Sequence, residues 1–259
     1  MRNVSQEIGP GLSLSTLLNI HIERWSAWSP GVDSIQAWRD WARTDGEVPA
    51  EGPLPKLKFL PSLLRRRLSP PGKMALKVAY DCEVADSEIR TVFSSRHGEA
   101  NGTIPLLEDI VRGEALSPTK FSLSVHNTAS GLYSITAENR SPATAVAARG
   151  DSFEMGFVEA ATAIATGREK RVLVVYVDVP LKPPFDVLVE YEPPFAGAFV
   201  LGAQPTPDSV TLSMRAREEG EEMSRSPHFL AFMKFLLCSE QKGLVLSTDR
   251  LTWTWRRPE

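Results

Sequence analysis

The chain has 259 residues, 42% hydrophobic and 24% charged, with 29 basic and 32 acidic side chains and a formal net charge of −3. These values fit a globular α/β protein that can bury a sizeable core, and they provide no overall basic field of the kind that favours nucleic acid. The two cysteines, Cys82 and Cys238, are too few and too far apart for a disulfide framework, and no run of about 18 apolar residues suggests a membrane span. A cytoplasmic protein without a signal peptide is the expectation.

Residues 1–14 are polar with Gly-Pro-Gly and read as a flexible extension, leaving 15–259 as a single domain. LLNIHIERW (17–25) alternates as a half-buried strand does. DSIQAWRDWAR reads as a helix with Asp33 at its N-cap and Trp38 and Trp41 on one face. Residues 45–61, rich in Pro, Gly and Glu, form an irregular loop. SLLRRRLSPPGKMALKVAYDCEVA gives a short basic helix, a Pro-Pro-Gly break and a longer helix from about Lys73. EIRTVFSSR (88–96) is a strand, and GTIPLLEDIVRG (102–113) is a helix closed by glycine. A helical SVHNTASGLYSI follows SPTKFS. TAVAARGDSFEMGFVEA (144–160) then reads as strand, sharp turn and helix. VLVVYVDV (172–179) is continuously apolar, as expected of a strand covered on both faces. Beyond the Pro-rich KPPFDVLVEYEPPF, GAFVLGA and DSVTLSM read as strands, SPHFLAFMKFLLCSE as a helix and RLTWTWRR as a closing strand. The alternation predicts a mixed α/β sheet with helices on both faces and tryptophan-rich ends in the core.

No G-x-G-x-x-G or Walker loop is present, and His21, His97, His126 and His228 form no pair at metal-ligand spacing, so neither metal nor cofactor is expected. His126, among small residues, reads as a hydrogen-bonded histidine at a tight helix contact. Arg65–Arg67 reads as a solvated basic patch or as a contact for an acidic partner. The turn at Arg149-Gly150-Asp151 is an elbow at a helix N-terminus, a place suited to a nucleophile, yet it carries a glycine. Ser152 or Asp151 remains as a candidate nucleophile or base, although no histidine is placed to activate the serine.

SSRHGEANGTIPLLEDIVRGEALSPTKFSLSVHNTASGLYSI, the elbow, VLVVYVDVP and FAGAFVLGA follow one another in the order seen in β-ketoacyl synthases of the thiolase superfamily. More narrowly, from about Ile22 to Ala203 the chain resembles the short ketosynthase-like chain-length-factor subunits of bacterial aryl polyene and related pigment pathways. The resemblance implies a thiolase-like fold: the N-terminal half of a ketosynthase followed by a truncated C-terminal half. In an active family member the elbow carries a cysteine whose thiolate is stabilised at the helix N-terminus, and two downstream histidines assist decarboxylation of a malonyl unit. Counting back from Glu159, Ala160 and Gly167 puts that cysteine position on Gly150. The histidine motifs expected after the elbow are missing, since His97-Gly98 precedes it and His228 has no glycine neighbour. The resemblance therefore implies no catalytic residue, a degenerate site at Gly150 flanked by Arg149, Asp151 and Ser152, and a glycine that relieves strain at the elbow.

By the same resemblance, this chain pairs with a catalytic ketosynthase subunit, serves an acyl carrier protein through that complex, and limits chain length by shaping an acyl tunnel. Strand 143–149 pairs antiparallel across the dimer axis, so Thr144, Val146 and Ala148, with His126 and Asn127, are interface candidates in an interface above about 2,000 Å². The tunnel gate falls on Ser95, Arg96, His97 and Thr103, and Arg65, Arg66 and Arg67 are the carrier-docking candidates. A stand-alone acyltransferase or decarboxylase using Ser152 or Asp151, and a carrier-binding scaffold, are the alternatives.

Overall fold

Alternating burial along Leu18–Trp28 makes it strand β1 of the computed structural model, which describes residues 17–44, 46–82 and 88–258. In chain order there follow α1 (Ile35–Ala42), α2 (Ser62–Arg67), α3 (Pro70–Asp81), β2 (Arg90–Ser94), α4 (Ala100–Arg112), α5 (Pro118–Ser122), α6 (Thr128–Thr136), β3 (Ala143–Val146), α7 (Ser152–Ala165), β4 (Arg171–Asp178), β5 (Phe195–Gly202), β6 (Ser209–Ala216), α8 (His228–Leu237), β7 (Gly243–Ser247) and β8 (Leu251–Arg256). The extension expected over residues 1–14 lies outside the described residues.

Two local expectations are corrected. The N-cap of α1 is Ser34 rather than Asp33, because the Ser34 hydroxyl accepts from the Ala37 N–H at 3.2 Å. Helix α3 begins at Pro70 rather than near Lys73. Pro70 and Pro71 occupy the first turn, where a missing N–H costs nothing, and Ser69 caps it through the Gly72 N–H. RLTWTWRR forms the last strand of the chain, β8, and in the sheet it lies inside β7, whose short GLVLS gives too little pattern to read and which forms the edge.

All eight strands form one sheet in the order β3-β2-β4-β5-β1-β6-β8-β7. β2 runs parallel to β3 and β4, and every other pair is antiparallel. Central β4 and β5 are buried along nearly their whole length because helices cover both faces. One core packs α1, α7 and α8 on one face, with Trp38, Phe153, Phe157, Phe229, Phe232 and Trp255 fully or nearly fully buried. The other packs α3 and α6 on the opposite face around Met74, Leu76 and Val78. Residues after Ala203 extend this same sheet, since β6 pairs with β1.

The parallel strands fix where chemistry can gather. Ser94 at the end of β2 is in register with Val146 of β3 and Tyr176 of β4. The segments leaving β2, β3 and β4 therefore emerge together at the carboxyl ends of the strands, the usual location of ligand sites in open α/β sheets.

Candidate functional site

The β3–α7 segment makes the elbow through a 3-10 turn at Arg149–Asp151. The residue in the left-handed region is Arg149, with φ 57°, and not Gly150. The idea that glycine relieves backbone strain is thus corrected, because the strained position carries a full side chain. Gly150 serves close approach instead: a Cβ there would lie 3.3 Å from Thr248 Cγ2. The Arg149 guanidinium pairs with Asp249 at 3.3 Å.

Both polar neighbours of Gly150 are occupied. Asp151 is fully buried and accepts hydrogen bonds from Thr248 Oγ1 at 2.8 Å, Trp253 Nε1 at 2.9 Å and Arg250 Nη2 at 3.0 Å. The turn between β7 and β8 thus clamps the elbow. Ser152 Oγ donates to the Arg149 carbonyl at 2.7 Å and accepts from the Ala148 N–H at 2.9 Å. Below the elbow, rings fill the space: Phe153 lies with its centroid 5.2 Å from Tyr176 and 5.9 Å from Phe229.

His228, remote in sequence and unremarkable among apolar residues, is brought to α7 by the packing of α8. Its Nδ1 lies 2.7 Å from Oε1 of the fully buried Glu154. Burial alone would lower the His228 pKa, but the charge and hydrogen bond of Glu154, with Asp151 and Glu192, outweigh it and hold the pKa above the usual histidine value.

The turn after β2 is organised by Asp178, the last residue of β4. Its carboxylate accepts from Ser95 Oγ at 2.8 Å, the Arg96 N–H at 2.8 Å and the His97 N–H at 2.9 Å. Gly98 follows with φ 53°, and a Cβ there would come 2.7 Å from the His126 ring, so only glycine allows this turn and this contact together. His126 Nε2 is 3.0 Å from the Ser95 carbonyl oxygen. Thr103 Oγ1 donates to the Glu99 and Ser124 carbonyls at 3.1 and 3.3 Å.

Arg96 meets Glu192 of the β4–β5 segment at 3.5 Å. Burial, then the charge of Asp178, raises the Glu192 pKa, with Arg96 pulling the other way. Burial lowers the His97 pKa, against Asp178 and aided by Arg96. Of the gate candidates, His97 and Thr103 share the wall of a recess of about 320 Å³ with His126. Ser95 is instead buried as a structural partner of Asp178. Asp178 was missed by sequence reasoning, although an acid ending an unbroken apolar strand is a legible signal.

β3 lies at the sheet edge, so its outer side has no strand partner among the described residues. The exposed side chains there are Ala143, Ala145 and Ala147, while Thr144, Val146 and Ala148 are half-buried. Thr144 Oγ1 accepts from Arg90 at 3.1 Å, and Val146 packs against the core. Asn127 is exposed at the start of α6. Other elements leave large apolar side chains in solvent: Leu107, Ile110 and Val111 on α4, Phe121 on α5, and Val187 and Leu188 after β4. Among the described residues no group of three or more His, Cys, Asp or Glu is arranged to hold a metal. No described helix is long and apolar enough to cross a membrane.

Residues 38–256 match the family model described as the N-terminal domain of β-ketoacyl synthases. This chain belongs to that family. Among solved structures, this ketosynthase-family chain is similar to a chain of the ketosynthase ApeO in complex with its chain length factor ApeC from Xenorhabdus doucetiae, with 29% identity and a TM-score of 0.81 over 93% of this chain and 100% of that one. The ishigamide ketosynthase/chain length factor shares the fold at 16% identity and a TM-score of 0.59, over 78% of this chain and 68% of that one. A β-ketoacyl synthase from Burkholderia phymatum STM815 does so at 13% identity and 0.59, over 86% and 70%. No curated protein matches.

Arg65, Arg66 and Arg67 lie on α2, the first two lining a cleft of about 470 Å³ with Lys56, Lys58 and Lys73. Among the described residues no acidic side chain lines this cleft. The run of three arginines is therefore part of a larger basic surface built from one stretch of the chain, Lys56 to Lys73.

Proposed function

We propose that this chain is the non-catalytic chain-length-factor subunit of a heterodimeric β-ketoacyl-[acyl carrier protein] synthase, acting in elongation of polyene-type chains. The observation that carries the reading is the elbow. It has no thiol, its glycine is crowded by Thr248, and its only carboxylate is locked by three donors. A bound hydroxyl at Ser152 and a clamped Asp151 speak against the stand-alone acyltransferase reading. The free edge of β3 and the apolar residues of α4 suit a large interface with a cysteine-bearing ketosynthase. His97 and Thr103 would then bound the acyl tunnel, and the basic cleft at Arg65–Arg67 would receive the acidic surface of the carrier.

Co-expression with the cysteine-bearing ketosynthase from the same source tests this. The expected result is a stable one-to-one complex whose elongation from malonyl-loaded carrier is lost when this chain is omitted. A ketosynthase equally active alone, or an acyl adduct trapped on this chain in isolation, would overturn the proposal.

A further inference from the structure

A second recess, of about 270 Å³, lies along α4 beside the one that holds His97 and Thr103. Ile104, Leu107 and Phe185 line both. Two of these three belong to α4, whereas Phe185 comes from the segment between β4 and β5. The recesses differ in character. The first has His97, Glu99, Thr103, Ser124 and His126 in its wall, beside Ala100 and the three shared apolar residues. The second is apolar except for Glu108 and Arg112, which pair with each other at 3.3 Å.

The segment carrying Phe185 is strapped to α4. Asn101 Nδ2 donates to the Pro180 carbonyl at 2.8 Å, and its Oδ1 accepts from the Lys182 N–H at 2.9 Å. A tight turn follows, with the Phe185 N–H donating to the Lys182 carbonyl at 3.0 Å. The ring is therefore delivered to the boundary by a backbone held at two points. An aromatic side chain with two torsions, held this way, makes a stiff partition.

We propose that Phe185 is a specificity-determining wall, dividing the groove along α4 and setting how far an extended apolar acyl chain runs past His97 and Thr103. This rests on the chain-length reading above. An acyl tail passing His97 and Thr103 would gain by entering the more apolar second recess, and Phe185 is the one residue lining both recesses that does not belong to α4. Exposed Leu107 and Val111 continue the apolar surface beyond it, under the roof that a partner subunit would provide.

The test uses the reconstituted pair with malonyl-loaded carrier, reading product length by mass spectrometry. Phe185→Ala is expected to move the distribution longer by at least one two-carbon unit, and Phe185→Trp to move it shorter. Opposite shifts from two substitutions at one position are not a consequence of general destabilisation. If both variants elongate with the unaltered distribution, the wall is overturned while the chain-length reading stands. If elongation by the wild-type pair does not depend on this chain, the underlying reading fails, and the wall with it.

Discussion

Asp151 joins the elbow to the C-terminal hairpin through bonds that no local sequence pattern announces. Removing its carboxylate takes the shorter of two acceptors from the Thr248 hydroxyl, strands the Trp253 N–H and leaves Arg250 without its counter-ion. Asp151→Ala is expected to cost about 3 kcal/mol of stability in urea denaturation, with Asp151→Asn recovering part of it because an acceptor oxygen remains. A loss below about 0.5 kcal/mol, the scale of ordinary surface substitutions, would show that the hairpin does not clamp the elbow. His228 gives a prediction in pH. Its folded pKa is raised above 6.5 by Glu154 and its neighbours, so the pair's contribution is fully present below that value and is lost as pH rises through the folded pKa. Unfolding free energy should fall between pH 6.5 and the folded pKa, and His228→Gln should flatten that slope. The lowered His97 acts below this window, and the raised Cys82 titrates from 9.0 upward, so neither accounts for a slope at neutral pH. An equal slope in the variant would exclude the His228–Glu154 pair as its source.

Helix α4 pairs a buried face, with Ile104 and Leu106, with an exposed one bearing Leu107, Ile110 and Val111. Val111 is 87% exposed, so it contributes almost nothing to the chain's own core. Val111→Asp should therefore leave the melting temperature of the lone chain within about a degree or two, since exposed substitutions change stability by roughly 0.5 kcal/mol or less. The same charge placed in an interface should weaken assembly with the ketosynthase at least ten-fold, measured by titration of the two purified chains. Unchanged affinity would remove this face from the proposed interface. Strand β3 has a related logic at the sheet edge. Its outward alanines impose little steric bulk, which permits close approach of another backbone to its unpaired side.

Taken whole, a chain with net charge −3 concentrates positive charge on one surface. Between Gly52 and Tyr80 there is no Asp or Glu, while Lys56, Lys58, Arg65, Arg66, Arg67, Lys73 and Lys77 all fall there. Lys77 is paired with Asp81, and Lys56, Lys58, Arg65, Arg66 and Lys73 surround the cleft. Affinity of the assembled pair for an acidic carrier should fall steeply between low and physiological salt, because screening acts on exposed charges. Arg65→Ala with Arg66→Ala should reduce both affinity and its salt dependence. An affinity indifferent to salt would move carrier docking away from this cleft.

Local pattern alone specifies the apolar run of β4, the amphipathic α4 with its closing Gly113, and the strand–turn–helix at the elbow. The absence of sulfur at Arg149-Gly150-Asp151 is likewise set by sequence alone, since chemistry follows directly from side-chain identity. Tertiary structure decided the rest. That Asp151 is clamped by Thr248, Arg250 and Trp253, that Asp178 anchors the β2–α4 turn, and that His228 meets Glu154 all depend on contacts between segments from 74 to 102 residues apart. Local periodicity records which side of an element is buried but not which distant segment covers it, and a polar group's partner belongs to that second kind of information.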